Sequence, residues 1–180
     1  ADETGERGLH GPLSNIPAEI ESVIQPDPAR GKLHLSLTGR MKETRIFGPA
    51  LELTRTISGT IGRSAITIKD VVTNLGNTVA PHMLLYHLNF GWPLVDKNTK
   101  LIWEGKWRAS NELKENRIFR KGNDFQTCPG PLEEHSGSGE DLAFIDIAAD
   151  DNGNCSCGLY NERIGIAVKI GFNKSQMPWL

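Results

Sequence analysis

The sequence predicts an all-β fold, a sandwich or a barrel, and two observations carry that expectation. Apolar and polar residues alternate over short runs, as Leu33, Leu35 and Leu37 do against His34, Ser36 and Thr38. These runs recur at short spacing between turns rich in Gly, Asn and Pro, and no stretch shows a 3.6-residue apolar period.

The elements follow in chain order. Residues 1–18 hold glycines and prolines without periodicity and read as irregular. Ile20, Val23 and Ile24 make a strand of 19–25, and Pro26-Asp27-Pro28-Ala29-Arg30-Gly31 turns it into a second strand at 32–40. A threonine-rich strand covers 51–58, a turn follows over 58–64, and another strand covers 65–73. The turn Asn74-Leu75-Gly76-Asn77 then leads to an apolar strand at 83–90, closed by Gly91-Trp92-Pro93 because proline cannot donate to a central ladder. Residues 100–107 read as one short strand, 111–121 as a charged exposed excursion, and 123–141 as a long loop. A strand at 142–147, a turn at Asp150-Asp151-Asn152-Gly153-Asn154, a return strand at 156–161 and a final strand at 164–172 complete the chain.

Bulk properties narrow the function classes. The 180 residues fit one domain over 1–180, or a large piece of a bigger polypeptide, and both ends read as cuts. With 38% hydrophobic and 23% charged residues the chain is globular. Twenty basic against 22 acidic residues give a net charge of −2, which supplies no electrostatic grip on nucleic acid or an anionic membrane. No apolar run reaches the roughly 20 residues a membrane helix needs. Three cysteines, an odd count without a secretory signal, favour reduced thiols in a cytoplasm. Cys155-Ser156-Cys157 is at most half a metal site, so structural thiols and no bound metal are expected.

The stretch 81–93 carries the chemical interest. On a strand, Leu85, His87 and Asn89 share one face, while Leu84, Tyr86, Leu88 and Phe90 share the other. His87 reads either as a core histidine with a hydrogen-bond partner or as an acid/base group, since imidazole exchanges a proton near neutral pH. Of the other histidines, His34, His82 and His135 read as surface residues, and His10 sits in a loop where nothing demands burial. Glu133, Glu134, Glu140 and Asp141 flank His135 and chiefly solvate their loop, with a pocket role open to one of them. Core packing is expected of at least two of Trp92, Trp103 and Trp107, the alternative being stacking on a sugar. No phosphate-binding glycine loop, HExxH or GxSxG motif is present.

Three motifs together resemble a known family. They are His10-Gly11 with Ser14-Asn15-Ile16-Pro17-Ala18-Glu19, then Asp70-Val71-Val72-Thr73-Asn74, then Leu85-Tyr86-His87-Leu88-Asn89-Phe90-Gly91-Trp92-Pro93-Leu94. With the ending Met177-Pro178-Trp179-Leu180, the chain resembles the DUF4432 branch of the aldose 1-epimerase (galactose mutarotase-like) superfamily. The resemblance implies an all-β galactose mutarotase-like β-sandwich, or supersandwich, in a truncated copy. It implies an aldose 1-epimerase-like isomerase that opens a sugar ring by acid/base chemistry, without cofactor or metal. A sugar-binding protein of the same fold that does no chemistry is the alternative. His87 matches the general acid and His10 the second, substrate-binding histidine. Asn15, Asn89, Trp92 and Glu134 are the further candidates for sugar contact. The family's basic glutamate has no match in these 180 residues, for which Glu134 is only a stand-in. Pro12 stands where this branch often has arginine.

Overall fold

The structure is a computed structural model that describes residues 11–109, 125–130 and 142–180. The charged excursion expected at 111–121 and most of the loop expected at 123–141 lie outside these residues. Two compact units are formed, one ending at Leu85 and the other beginning at Tyr86. Among the described residues the regular structure is nearly all antiparallel strand, with two single 3₁₀ turns.

The first unit is a four-stranded meander of β1 (Glu19–Ile24), β2 (His34–Thr44), β3 (Ala50–Thr60) and β4 (Ile66–Asn74). Its register follows from the alternation seen in the sequence. Val23 lies opposite Leu37, Leu37 opposite Ile57, and Ile57 opposite Ile68, so one aliphatic row crosses all four strands. The other face is polar. There Thr38 and Thr56 share a hydrogen bond of 3.0 Å between their hydroxyls, and Lys42 sits opposite Glu52 with 3.5 Å between charges. Arg55 and Asp70 are cross-strand partners on the apolar side. Arg55 Nε and Nη2 donate to the two carboxylate oxygens of Asp70 at 2.8 and 2.6 Å. This fork-to-fork pair is the strong form of a charged hydrogen bond.

The second unit has β5 (Lys100–Ile102), β6 (Gly105–Ala109), β7 (Ala143–Ile147), β8 (Asn154–Asn161) and β9 (Ile166–Asn173). β5, β8 and β9 form one sheet; β6 and β7 form a ribbon. Trp103, Ile145, Ile147, Cys155 and Cys157 are buried together, with Leu101, Trp107, Phe125, Ile170 and Phe172 packed around them. Trp103 stacks on Phe125 at 5.5 Å between ring centres, and Trp107 tilts onto the same ring at 4.6 Å. Two of the three candidate tryptophans are therefore core residues. Ile145 exchanges backbone hydrogen bonds of 2.8 and 3.0 Å with Leu180, beside β7.

Two expectations are corrected. Residues 83–90 form no strand: the whole segment from Val79 to Gly91 has no ladder pairing. A period-2 pattern creates a face, but only a neighbouring strand creates a strand. Residues 100–107 form two strands rather than one. Gly105 has φ +139°, and a Cβ there would overlap the Asp146 carbonyl oxygen. The chain bends at this glycine and changes ladder partner from β8 to β7.

Two carboxyls clamp this unit. Lys174 Nζ donates to Asp146 Oδ1 and to the Ile147 carbonyl, both at 2.6 Å. That hydrogen bond and the ammonium charge hold the Asp146 carboxyl below its usual value. Asp150 caps the β7–β8 turn, accepting from the Asn152 and Asn154 amides at 2.9 and 2.8 Å. The Asn154 amide is the main cause of its lowered pKa, followed by the Asn154 side chain.

Gly105→Ala is expected to cost about 2 kcal/mol or more in urea denaturation, because both the dihedral and the space exclude a methyl group. A variant as stable as the parent would refute the bend's dependence on glycine. Since both carboxyls titrate low when folded, their contribution is full above the ordinary value of 3.8 and is lost as pH falls through the lowered values. Asp150→Asn should therefore flatten the acid limb of a plot of urea midpoint against pH; an unchanged limb would count against the capping role.

Candidate active site

The candidate site is the segment that opens the second unit. Its side chains keep the alternation the sequence predicts even without a ladder. Leu84, Tyr86 and Phe90 are half-buried, whereas Leu85, His87 and Asn89 are exposed. Leu88, expected on the apolar side, is 49% exposed. Trp92 is 78% exposed, which sets it apart from Trp103 and Trp107. Tyr86 and His87 each have an interaction partner, so the imidazole is not an isolated surface group.

What holds this segment in place lies just after it. The Val95 amide donates to the Gly91 carbonyl at 2.9 Å, making a turn that contains the cis Trp92–Pro93 peptide. Asn161, at the end of β8 and only 3% exposed, donates its side-chain amide to the Pro93 and Leu94 carbonyls at 2.9 and 3.1 Å. Thr99, 1% exposed, donates its hydroxyl to the same Leu94 carbonyl at 2.8 Å and accepts from the Asp96 amide at 3.1 Å. Arg163 pairs with Asp96 at 2.8 Å. Asn161 and Thr99, both buried themselves, thus satisfy backbone groups of a turn that no ladder serves.

Sequence reasoning missed both anchors. The sequence places Asn161 only as the last residue of the return strand 156–161, and its partner carbonyls are 67 and 68 residues away. The available signal was an asparagine at the inward parity of a strand whose other inward positions are Cys155, Cys157 and Leu159.

The candidates divide as follows. His87, Asn89 and Trp92 lie on one short segment of the second unit. Asn15 ends the 3₁₀ turn Leu13–Asn15 of the first unit and is exposed. His10 and Glu134 lie outside the described residues. The cysteines are free thiols. Cys155 and Cys157 are core residues, and burial, with the neighbouring Cys155 sulfur, pushes the Cys157 thiol up. Burial also raises Cys128, with Asp96 adding to it. Among the described residues, no three His, Cys, Asp or Glu side chains group as metal ligands.

Comparison with known proteins places this geometry. The profile of a family described as a domain of unknown function, DUF4432, matches residues 1–180. The chain belongs to the DUF4432 family. Its structure is similar to a crystal structure of a candidate aldose 1-epimerase from Klebsiella pneumoniae subsp. pneumoniae MGH 78578, with TM-score 0.80 and 23% identity. The likeness covers 96% of this chain and 43% of that one, so this DUF4432 chain spans less than half of the neighbour's length. At that identity the likeness shows the fold: all-β, of the aldose 1-epimerase kind. Among curated proteins no relative matches.

Asn161→Ala should leave the Pro93 carbonyl without its side-chain donor and the Leu94 carbonyl with Thr99 alone, and cost about 1 kcal/mol. It should also broaden or shift the His87 ring resonances in NMR. Unmoved resonances in a destabilised variant would show that Asn161 acts on stability alone.

Proposed function

We propose that this DUF4432 chain handles a sugar in the manner of an aldose 1-epimerase, with His87 as its general acid. The supporting observation is the pairing of two facts. An imidazole stands on the exposed side of a segment whose following turn is held by the side chains of buried Asn161 and Thr99, and the fold is one shared with a candidate aldose 1-epimerase.

The chemistry asks for one proton in and one proton out. An acid delivers a proton to the ring oxygen while a base takes the proton of the anomeric hydroxyl. The C1–O5 bond breaks, the aldehyde carbon rotates, and the hydroxyl re-adds from either face. His87 is the group for the first step, with its proton returned on closure. Asn89, two residues on, presents an amide that can both donate to and accept from sugar hydroxyls. Trp92 offers an exposed ring for the apolar face of the sugar. His10, Asn15 and Glu134 are proposed as further sugar contacts, Glu134 as a stand-in for the base. A sugar-binding protein that performs no ring opening is the competing reading.

His87→Asn is expected to lower the rate of anomerisation by about 10²-fold or more, the scale of one acid/base group. Polarimetry or exchange NMR on a panel of aldoses measures it. An unchanged rate would remove His87 from the role; binding without any anomerisation in the parent chain would favour the competing reading.

A further inference from the structure

Three glycines in the second unit have different reasons to be glycine. Gly105 is required by its dihedral and by the Asp146 carbonyl oxygen. Gly158 is required because a Cβ would overlap the Val168 carbonyl oxygen of the neighbouring strand. Gly171 meets neither condition. It sits in the middle of β9 at an ordinary strand dihedral, and the nearest atom to a Cβ there would be the Cys155 carbonyl oxygen at 3.9 Å. Glycine in a strand interior weakens the strand, and it often marks a place where something else must approach.

The register shows what surrounds Gly171. On the outward face of the β5–β8–β9 sheet, Ser156 lies opposite Gly171, and Ile102 lies opposite Gly158, which lies opposite Lys169. Asn154 and Asn173 make the next row. Glu104 follows two residues beyond Ile102. All of these residues except Gly158 border an open depression of about 840 Å³, inside the range of roughly 300–1,000 Å³ found for small-molecule sites. His87, Asn89 and Trp92 do not line it.

Ser156, Lys169 and Glu104 are exposed, and none makes a side-chain hydrogen bond or ion pair among the described residues. One carboxylate, one ammonium and one hydroxyl therefore stand unengaged around a floor that lacks a side chain, and Asp150, engaged by the Asn152 and Asn154 amides, adds a second carboxylate to the border. Two carboxylates against one ammonium disfavour a phosphate. Adjacent hydroxyls of a sugar suit them: one can donate to Glu104 while its neighbour accepts from Lys169. Ile102, 54% exposed, supplies apolar surface for the C–H face of a ring.

We propose that this depression is a saccharide-binding site, separate from the His87 segment, whose floor is kept open by Gly171. The choice of a sugar as ligand rests in part on the function proposed above; the existence of the site does not.

The test is an amide-shift titration of the full chain with D-glucose and D-galactose, with L-serine and inorganic phosphate as rival probes. The amides of Ser156, Lys169 and Gly171 should shift saturably with a hexose. Gly171→Val should fold with a Tm no lower than the parent, because valine suits a strand and the space is free. The same variant should lose the hexose shifts. Lys169→Met and Ser156→Ala, both exposed substitutions that test the site if the valine variant fails to fold, should each weaken binding by about tenfold, the scale of one hydrogen bond to a charged group or a buried polar partner. Absence of saturable hexose shifts at these amides overturns the proposal, as does unweakened binding in the variants. Saturation by serine or phosphate alone overturns the ligand class. Anomerisation without shifts here would sink this inference and leave the His87 reading standing; shifts here without anomerisation would do the reverse.

Discussion

The second unit depends on the alternation of one strand, β8. Its inward positions are Cys155, Cys157, Leu159 and Asn161, and its outward positions are Asn154, Ser156, Gly158 and Tyr160. The two inward thiols join Trp103, Ile145 and Ile147 in the core. The inward amide at the far end reaches the turn that follows His87. The outward serine borders the depression over Gly171. Core, anchor and depression are thus set by a single register, and a slip of one residue would exchange all three. Hydrogen bonds of Asp150 at one end of β8 and of Asn161 at the other oppose such a slip.

Much of this was legible in the sequence, and the failures share one cause. The hairpin expected at 19–25 and 32–40 is β1 and β2, and the strand expected at 164–172 is β9, because each shows a clean alternation bounded by turn residues. The segment 83–90 shows the same alternation, and its burial still follows it, with Tyr86 and Phe90 in and His87 and Asn89 out. What it lacks is a ladder partner, which its own residues cannot encode. The break at Gly105 is of the same kind: a glycine inside a strand pattern signals some irregularity, but the change of partner depends on where β7 lies. The anchors of the candidate site failed to show for the reason that long-range contacts usually do, since neither Asn161 nor Thr99 stands near the residues it serves.

The two units use their side chains differently. In the second, aromatic and aliphatic residues converge on Ile147, which is wholly buried. In the first, Leu53 is buried at 4% exposure, while the aliphatic row of Val23, Leu37, Ile57 and Ile68 remains 39–55% exposed. The meander is therefore held chiefly by its ladders, by cross-strand pairs such as Thr38 with Thr56, and by the fork between Arg55 and Asp70. A sheet apolar on one face is one layer of a two-layer arrangement.

The Arg55–Asp70 fork also bears on why the meander pairs as it does. Asp70 is only 5% exposed and sits among aliphatic neighbours, so an unpaired carboxylate there would carry a desolvation cost that few alternatives could offset. Moving β4 by one residue against β3 would place Lys69 or Val71 opposite Arg55. Lysine there repels, and valine leaves the guanidinium without its acceptor. Moving it by two restores the parity but sets Ile68 or Val72 beside the charge. The aliphatic row tolerates several of these shifts because one branched side chain packs much like another. The ion pair tolerates none of them. Between β3 and β4 the hydrophobic pattern chooses the face, and a charged pair chooses the register.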